Sequence, residues 1–264
     1  MNDLHNAALQ GFSRAAPNYV RGRPGYPDEL LLWLRQRLQL GPQSTVVDLG
    51  AGTGKFSQLL LRTGADVVAV EPVDAMRAQL LDSISGLSVI AGTAQSMPLE
   101  SASVDAVVCA QAFHWFASPE ALREIRRVLR PGGKLGLVWN VRDESVDWVA
   151  AISAIIAPHQ GDAPRFNSGQ WRRLFPNELF SDPEEFSVTH QHIGPAKQVI
   201  IDRFLSVSFI AALPQPQRAD VAARLGALIA THPQLKDRDT IAVPYETLAY
   251  CCKSKPQAAG LRER

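Results

Sequence analysis

The sequence predicts an α/β protein built on a doubly wound, mostly parallel sheet. Two observations predict it. Short Val-rich apolar runs alternate with amphipathic stretches between Thr45 and Asn140, and that β-α-β-α rhythm belongs to parallel sheets. The runs are also mostly continuous rather than alternating, as strands are when helices cover both faces of a sheet.

The elements follow in order. Strands are expected at Thr45–Leu49, Asp66–Val70, Leu87–Ala91, Val104–Cys109 and Lys134–Trp139. Helices are expected at about Lys55–Arg62, where Phe56, Leu59 and Leu60 share a side, and at Asp74–Ile84. The clearest helix is Pro119–Arg130. Ser118 is its N-cap, Pro119 stands at N1 and Glu120 lies in the first turn. Leu122, Ile125 and Leu129 form its apolar stripe, and Pro131-Gly132-Gly133 is read as its stop. Upstream, Leu30–Leu40 reads as a helix and Val20–Pro27 as an ordered loop. Beyond Asn140 the rhythm changes. Trp148–Ile156, Lys197–Ala212 and Pro216–Thr231 read as helices, and Glu185–Gln191 with Ile241–Lys253 as an antiparallel pair that finishes a seven-stranded sheet.

The chain has 264 residues, a hydrophobic share of 46%, and 27 Lys+Arg against 26 Asp+Glu. That length and composition fit a globular protein with a sizeable core. The formal charge of +1 is evenly spread along the chain, so no nucleic-acid partner is expected. Cys109, Cys251 and Cys252 make neither a C-x-x-C nor a zinc spacing, which points to a reducing compartment. No signal peptide is visible and no run of 18 apolar residues occurs. The expectation is a cytoplasmic protein that does not engage membranes and acts on a small molecule, with its oligomeric state unread.

The sharpest motif is Val46-Val47-Asp48-Leu49-Gly50-Ala51-Gly52-Thr53-Gly54-Lys55, directly after the first strand and opening a helix. Glycines there let the chain turn tightly and a ligand approach bare backbone. The helix N-terminus adds unpaired N–H groups. Glu71 closes the second strand, where a carboxylate can accept hydrogen bonds from ribose hydroxyls. A dinucleotide fold wants G-x-G-x-x-G, and here the third glycine comes one position early. A P-loop wants a hydroxyl after the lysine, and here Phe56 stands there.

The third reading fits each motif position. Asp48, Gly50, Gly52, Gly54 and Glu71 resemble the first motif and the acidic partner of the class I S-adenosylmethionine-dependent methyltransferases. Ala91-Gly92-Thr93-Ala94-Gln95-Ser96-Met97-Pro98-Leu99, the strand Ser103–Val108 and Leu129-Arg130-Pro131-Gly132-Gly133 are similar to further segments of that family. Phe12–Tyr19, Arg23–Pro27 and Ala110-Gln111-Ala112-Phe113-His114-Trp115-Phe116 narrow the likeness to type 11 methyltransferases, near the trans-aconitate and ubiquinone-type enzymes. So do pieces around Trp171–Phe175, Ser206–Ser208 and Val243–Thr247. Ala51 departs from the cysteine that many relatives carry.

The resemblance implies a Rossmann-like fold with helical cap elements, forming one compact domain. Residues 1–44 would supply a lid and a helix, 45–140 the cofactor half, and 141–264 the rest of the sheet with capping helices. It implies S-adenosylmethionine as cofactor and S-adenosylhomocysteine as product. The cofactor residues would be Tyr19, Arg23, Asp48, Gly50, Ala51, Gly52, Gly54, Glu71, Pro72, Thr93, Ala94, Gln95, Ala110 and Gln111. The methyl group would pass by in-line displacement to a small organic acceptor, with a carboxylate or a hydroxyl as the candidate group. Competing readings are an NAD(P)-dependent oxidoreductase and a protein that binds S-adenosylmethionine without turnover.

His114 is the candidate catalytic residue. An imidazole there can take a proton or hydrogen-bond an acceptor oxygen, and it can equally be a packed structural ring. Trp115 and Arg142, with His114, are candidates for the acceptor pocket. Arg23 can clamp a carboxylate. Arg126-Arg127 and Arg172-Arg173 read as solvated helix faces. His190 and His192 share a strand face without a third ligand, so no metal is expected.

Overall fold

The computed structural model describes residues 22–256. Its strands are β1 Thr45–Leu49, β2 Asp66–Val70, β3 Ser88–Ile90, β4 Val104–Ala110, β5 Leu129–Arg142, β6 Glu184–Pro195 and β7 Thr240–Lys253. They form one sheet in the order β3-β2-β1-β4-β5-β7-β6. The pairs from β3 to β5 are parallel. β5 with β7, and β7 with β6, are antiparallel. The predicted architecture is therefore present.

Both faces of the parallel half are covered, which explains its unbroken apolar strands. On one face Val46, Val67, Ala69, Ala106 and Val108 pack against α1 (Glu29–Gln36), α2 (Lys55–Leu61) and α3 (Asp74–Ser83). On the other, Val47, Leu49, Val107 and Leu135 meet α4 (Pro119–Val128) and Trp171. Successive strand residues serve opposite faces, as a pleated chain requires. A third cluster joins α5 (Asp147–Ile156), α6 (Gln215–Thr231), Val199, Ile200 and Phe204 to Ile241, Val243 and Tyr245 of β7.

Two boundaries differ instructively from expectation. Ser118 caps α4 as read, accepting the Ala121 N–H at 3.2 Å. The helix stops at Val128, however, and Leu129 is already extended. Pro131-Gly132-Gly133 lies inside β5, where the pairing with β4 shifts register. The stretch Lys197–Ala212 is no single helix. It is a π-helical turn at Lys197–Asp202, a short turn Arg203–Leu205, a break, and Ser208–Ala211. The Ser206 hydroxyl donates to the Arg203 carbonyl at 2.7 Å, a local bond that competes with helix continuation. Val207 is then extended. Among the described residues, no helix is long and apolar enough to cross a membrane.

Candidate functional site

A cleft of about 1370 Å³ opens beyond the carboxyl ends of β1, β2, β3 and β4. This is where the strand order reverses, between β1 and β4, and where open α/β sheets bind ligands. The turn after β1 forms its floor. Gly50, Gly52 and Gly54 all have positive φ, +73°, +57° and +84°, a region that side chains rarely adopt. A Cβ on Gly50 would meet the Ala112 Cβ at 2.8 Å, whereas one on Gly52 would meet none of the described residues within 4 Å. Gly52 thus presents bare backbone to open space. Gly54 points elsewhere: its Cβ would strike Ile84 and Leu80, and it does not line the cleft. Its smallness serves the packing of α2 on α3.

Two carboxylates stand beneath this turn. The Glu71 oxygens accept the N–H groups of Gly52 and Val73, each at 2.9 Å. This ties the glycine turn to the end of β2. Burial pushes the Glu71 pKa up, against the two N–H bonds and Arg77, which favour the charged form. Asp48 is 1% exposed. Its Oδ2 accepts the Ser57 hydroxyl at 2.6 Å, while its buried Oδ1 has no hydrogen-bond partner among the described residues. Burial raises its pKa to about 7, with the Ser57 bond acting the other way. Ala51 and Pro72 complete this wall.

Thr93, Ala94 and Gln95 line the cleft beyond β3. Thr93 and Ser96 close the turn with paired backbone bonds of 3.0 and 3.1 Å. An unforeseen clamp supports them. Glu124 on α4 accepts the Met97 N–H at 2.7 Å, and Arg127 grips Glu124 while donating to the carbonyls of Met97 and Leu99. Arg126 is buried, with bonds to the Leu129 and Lys255 carbonyls. The pair is therefore structural rather than a solvated face.

Ala110 and Gln111 end β4 at the cleft. Gln111 sits at φ +57°, a strained conformation for a residue with a side chain. Its N–H reaches the Val138 carbonyl at 2.8 Å and its amide nitrogen the Asn140 carbonyl at 3.1 Å. His114 and Trp115 follow in a 3-10 turn and line the same cleft. The buried Trp139 indole N–H donates to His114 Nδ1 at 3.1 Å. Burial, then the charges of Arg23 and Arg165, push the His114 pKa down to about 3. The ring is neutral at ordinary pH. Its one proton must sit on Nε2, because Nδ1 is accepting.

Of the remaining expected residues, Tyr19 lies outside the described residues. Arg23 lines the cleft, donates to the Ser206 carbonyl at 3.2 Å, and has its own carbonyl held by Lys55. Burial, then Arg23 and Arg203, lower the Lys55 pKa to about 8. Arg142 lines a side pocket instead of the main cleft. Arg23, Arg165 and Arg203 line both that pocket and the main cleft, and Arg165 and Arg203 carry no signal in the sequence, since they come from unrelated stretches of the chain. His192 donates through Nε2 to the Gly22 carbonyl at 3.1 Å, which ties β6 to the start of the described chain. Among the described residues, no group of three His, Cys, Asp or Glu is placed to hold a metal.

Comparison with known proteins agrees with this geometry. The model of a methyltransferase domain matches residues 47–137, the span that holds the glycine turn, Glu71 and His114. The chain is 35% identical over 249 residues to an uncharacterized methyltransferase-like protein of Schizosaccharomyces pombe, covering 94% of this chain and 97% of that one. It is 38% identical over 244 residues to an uncharacterized methyltransferase of Mycobacterium bovis, covering 90% and 93%. A solved structure from Anaeromyxobacter dehalogenans, proposed to be a type II methyltransferase, superposes with a TM-score of 0.59 at 22% identity, covering 88% and 97%. The chain belongs to the S-adenosylmethionine-dependent methyltransferases. That membership sets aside the oxidoreductase alternative.

Proposed function

We propose that this enzyme methylates a carboxylate of a small organic acid, with S-adenosylmethionine held in the main cleft and S-adenosylhomocysteine released. The cleft fits that cofactor in two respects. The orphaned, buried Asp48 Oδ1 suits an ammonium group, and Gly52 leaves backbone bare where any side chain would intrude. Glu71, already accepting one N–H on each oxygen, keeps lone pairs for ribose hydroxyls. Gly50, Ala51, Pro72, Thr93, Ala94, Gln95, Ala110 and Gln111 would form the walls, with Arg23 at the rim. When bound, S-adenosylmethionine supplies an electrophilic methyl group, which forms a C–O bond with the acceptor as its C–S bond breaks and the electron pair stays on sulfur.

The observation that carries the acceptor class is the Trp139–His114 hydrogen bond. A hydroxyl or amine acceptor needs a base to remove its proton. The His114 nitrogen that could serve as base is occupied by the indole N–H, and a charged imidazole is disfavoured by burial and then by Arg23 and Arg165. What this ring offers is an Nε2–H donor, which can hold and orient an acceptor oxygen. A carboxylate reacts as the anion it already is. Trp115 and the side pocket containing Arg142 would shape the rest of the acceptor site.

The test is mass spectrometry of products formed from isotopically labelled S-adenosylmethionine and a panel of organic acids, phenols and amines. The expected product is a methyl ester that releases methanol in mild alkali. An alkali-stable product would overturn the carboxylate reading. Binding of S-adenosylhomocysteine with no product from any acceptor would favour a protein without turnover.

A further inference from the structure

Among the described residues, Gln39, Ala102, Gln111 and Asp237 carry a side chain at positive φ. Of these, Gln111 is the one that lines the main cleft. A side chain in that region costs free energy, which the surroundings must offset. Here the tip of β5 does so with three consecutive residues. The Val138 carbonyl accepts the Gln111 N–H at 2.8 Å, and the Asn140 carbonyl accepts its amide nitrogen at 3.1 Å. Between them the Trp139 indole donates to His114 Nδ1 at 3.1 Å. The stretch Gln111–His114 hangs from β5, which orients both of its polar side chains.

The bond to Asn140 also decides which way the Gln111 amide faces. A carbonyl can only accept, so the NH2 edge must point at Asn140, and Oε1 lies on the opposite edge of a planar group. Among the described residues that oxygen accepts no hydrogen bond. Its place in the fold puts it on the path of the reaction. Val108 of β4 is the register partner of Asp48, and Gln111 stands midway along the chain between Val108 and His114. Ala112, the next residue, packs against Gly50 of the glycine turn. Asp48 suits the cofactor's ammonium group and His114 an acceptor oxygen, so the methyl group must pass between these anchors. Arg23, Arg165, Arg203 and Lys55 line the same cleft. A cation held near them needs oxygen dipoles turned toward it. In the reading above, Asp48 and Glu71 are engaged with the ammonium group and the ribose.

We propose that Gln111 Oε1 is the oxygen that meets the sulfonium methyl group of S-adenosylmethionine, holding it in line with the acceptor through C–H···O contacts. The proposal rests on the cofactor reading above and is independent of the acceptor class. Methyl hydrogens on a sulfonium carry part of its positive charge, which makes them donors to a carbonyl oxygen. Transfer breaks the C–S bond, leaves the electron pair on sulfur and removes that charge. The thioether product then gives the oxygen nothing to hold. Gln111 thus favours cofactor over product and orients the group that moves. The backbone strain follows from aiming the oxygen into the cleft while the nitrogen stays tied to β5.

Calorimetry with three ligands tests this. They are S-adenosylmethionine, S-adenosylhomocysteine and sinefungin, in which an amine-bearing carbon replaces the methylated sulfur. Gln111→Met keeps the length of the side chain and removes its oxygen. Relative to wild type, it should raise the ratio of the S-adenosylmethionine Kd to the S-adenosylhomocysteine Kd by about five-fold or more. The ratio for sinefungin should move the same way. Thermal melts report whether Gln111→Met folds. Should it not, Gln111→Gly takes its place, since glycine adopts this backbone without strain, and the same shift is expected. An unchanged ratio in the folded variant would overturn the proposal, whether affinity for all three ligands holds or falls together as a merely structural role predicts. Failure of wild type to bind any of the three would instead sink the cofactor reading, and this proposal with it.

Discussion

At the scale of single residues, burial decides what Asp48 and His114 can do. Asp48 has its pKa raised from 3.8 to about 7 by burial. Between those values the folded protein holds the proton and the unfolded chain does not, so the stability contributed by this group falls as pH rises from about 4 to about 7. Asp48→Asn removes the titration. The melting temperature of the ligand-free variant should gain on wild type between pH 5 and pH 8, and S-adenosylhomocysteine affinity at pH 8 should drop by about ten-fold. A constant gap in melting temperature would show that the Asp48 carboxyl titrates normally. For His114, kcat on a carboxylic acid should be flat from about pH 6 to about pH 9. His114→Asn keeps a donor and should retain most activity, while His114→Ala should lose about ten-fold in kcat/KM. An acid limb near neutral pH that vanishes in His114→Asn would assign the ring a base role. Asp48 and His114 were legible as candidates from their motifs. Their states were not, because the Ser57 and Trp139 hydrogen bonds and the burial arise only on folding.

At the scale of elements, the turn after β1 separates stability from binding. Gly50→Ala places a methyl group 2.8 Å from the Ala112 Cβ at positive φ, and should destabilise by about 2 kcal/mol or more. Gly52→Ala meets no neighbour. It should cost only about 1 kcal/mol of backbone strain yet weaken S-adenosylhomocysteine binding by more than about ten-fold, because the methyl group fills the open cradle. Denaturant melts paired with calorimetry check the contrast, and equal effects of the two substitutions would contradict it. The strands and the glycine turn were legible because each is a local pattern. The break-up of Lys197–Ala212 was not. Its apolar periodicity suits a helix, and the π-helical turn before Arg203 answers to the packing of Val199 and Ile200 in the cap. The arginine pocket was illegible for the same reason: Arg142, Arg165 and Arg203 share no spacing and meet only through tertiary structure. Arg126 and Arg127 misled because a charged pair on a helix carries no mark of the carbonyls it reaches.

At the scale of the whole molecule, β5 and β7 bind the two halves together. Their antiparallel register runs from Lys134↔Lys253 to Arg142↔Tyr245 without interruption. Across it, Thr247 donates to Asn140 at 2.7 Å, and Asn140 donates to the Gly25 carbonyl at 2.8 Å. Strands β5 and β7 and the start of the described chain therefore share one network. The chain should melt in a single cooperative transition. S-adenosylhomocysteine at a hundred times its Kd should raise the midpoint by about 5–10 °C without splitting it. Two calorimetric peaks would mean that the cap melts apart from the cofactor half.

The positive charge that Arg23, Arg142, Arg165 and Arg203 bring to the side pocket also bears on turnover. With a carboxylate as acceptor, esterification would remove one negative charge, and the field that gathers the acid would hold the ester less firmly. Added salt screens that field. It should raise KM for a carboxylic acid more steeply than it raises the inhibition constant of the corresponding methyl ester. The arginines that favour capture would then also favour product release.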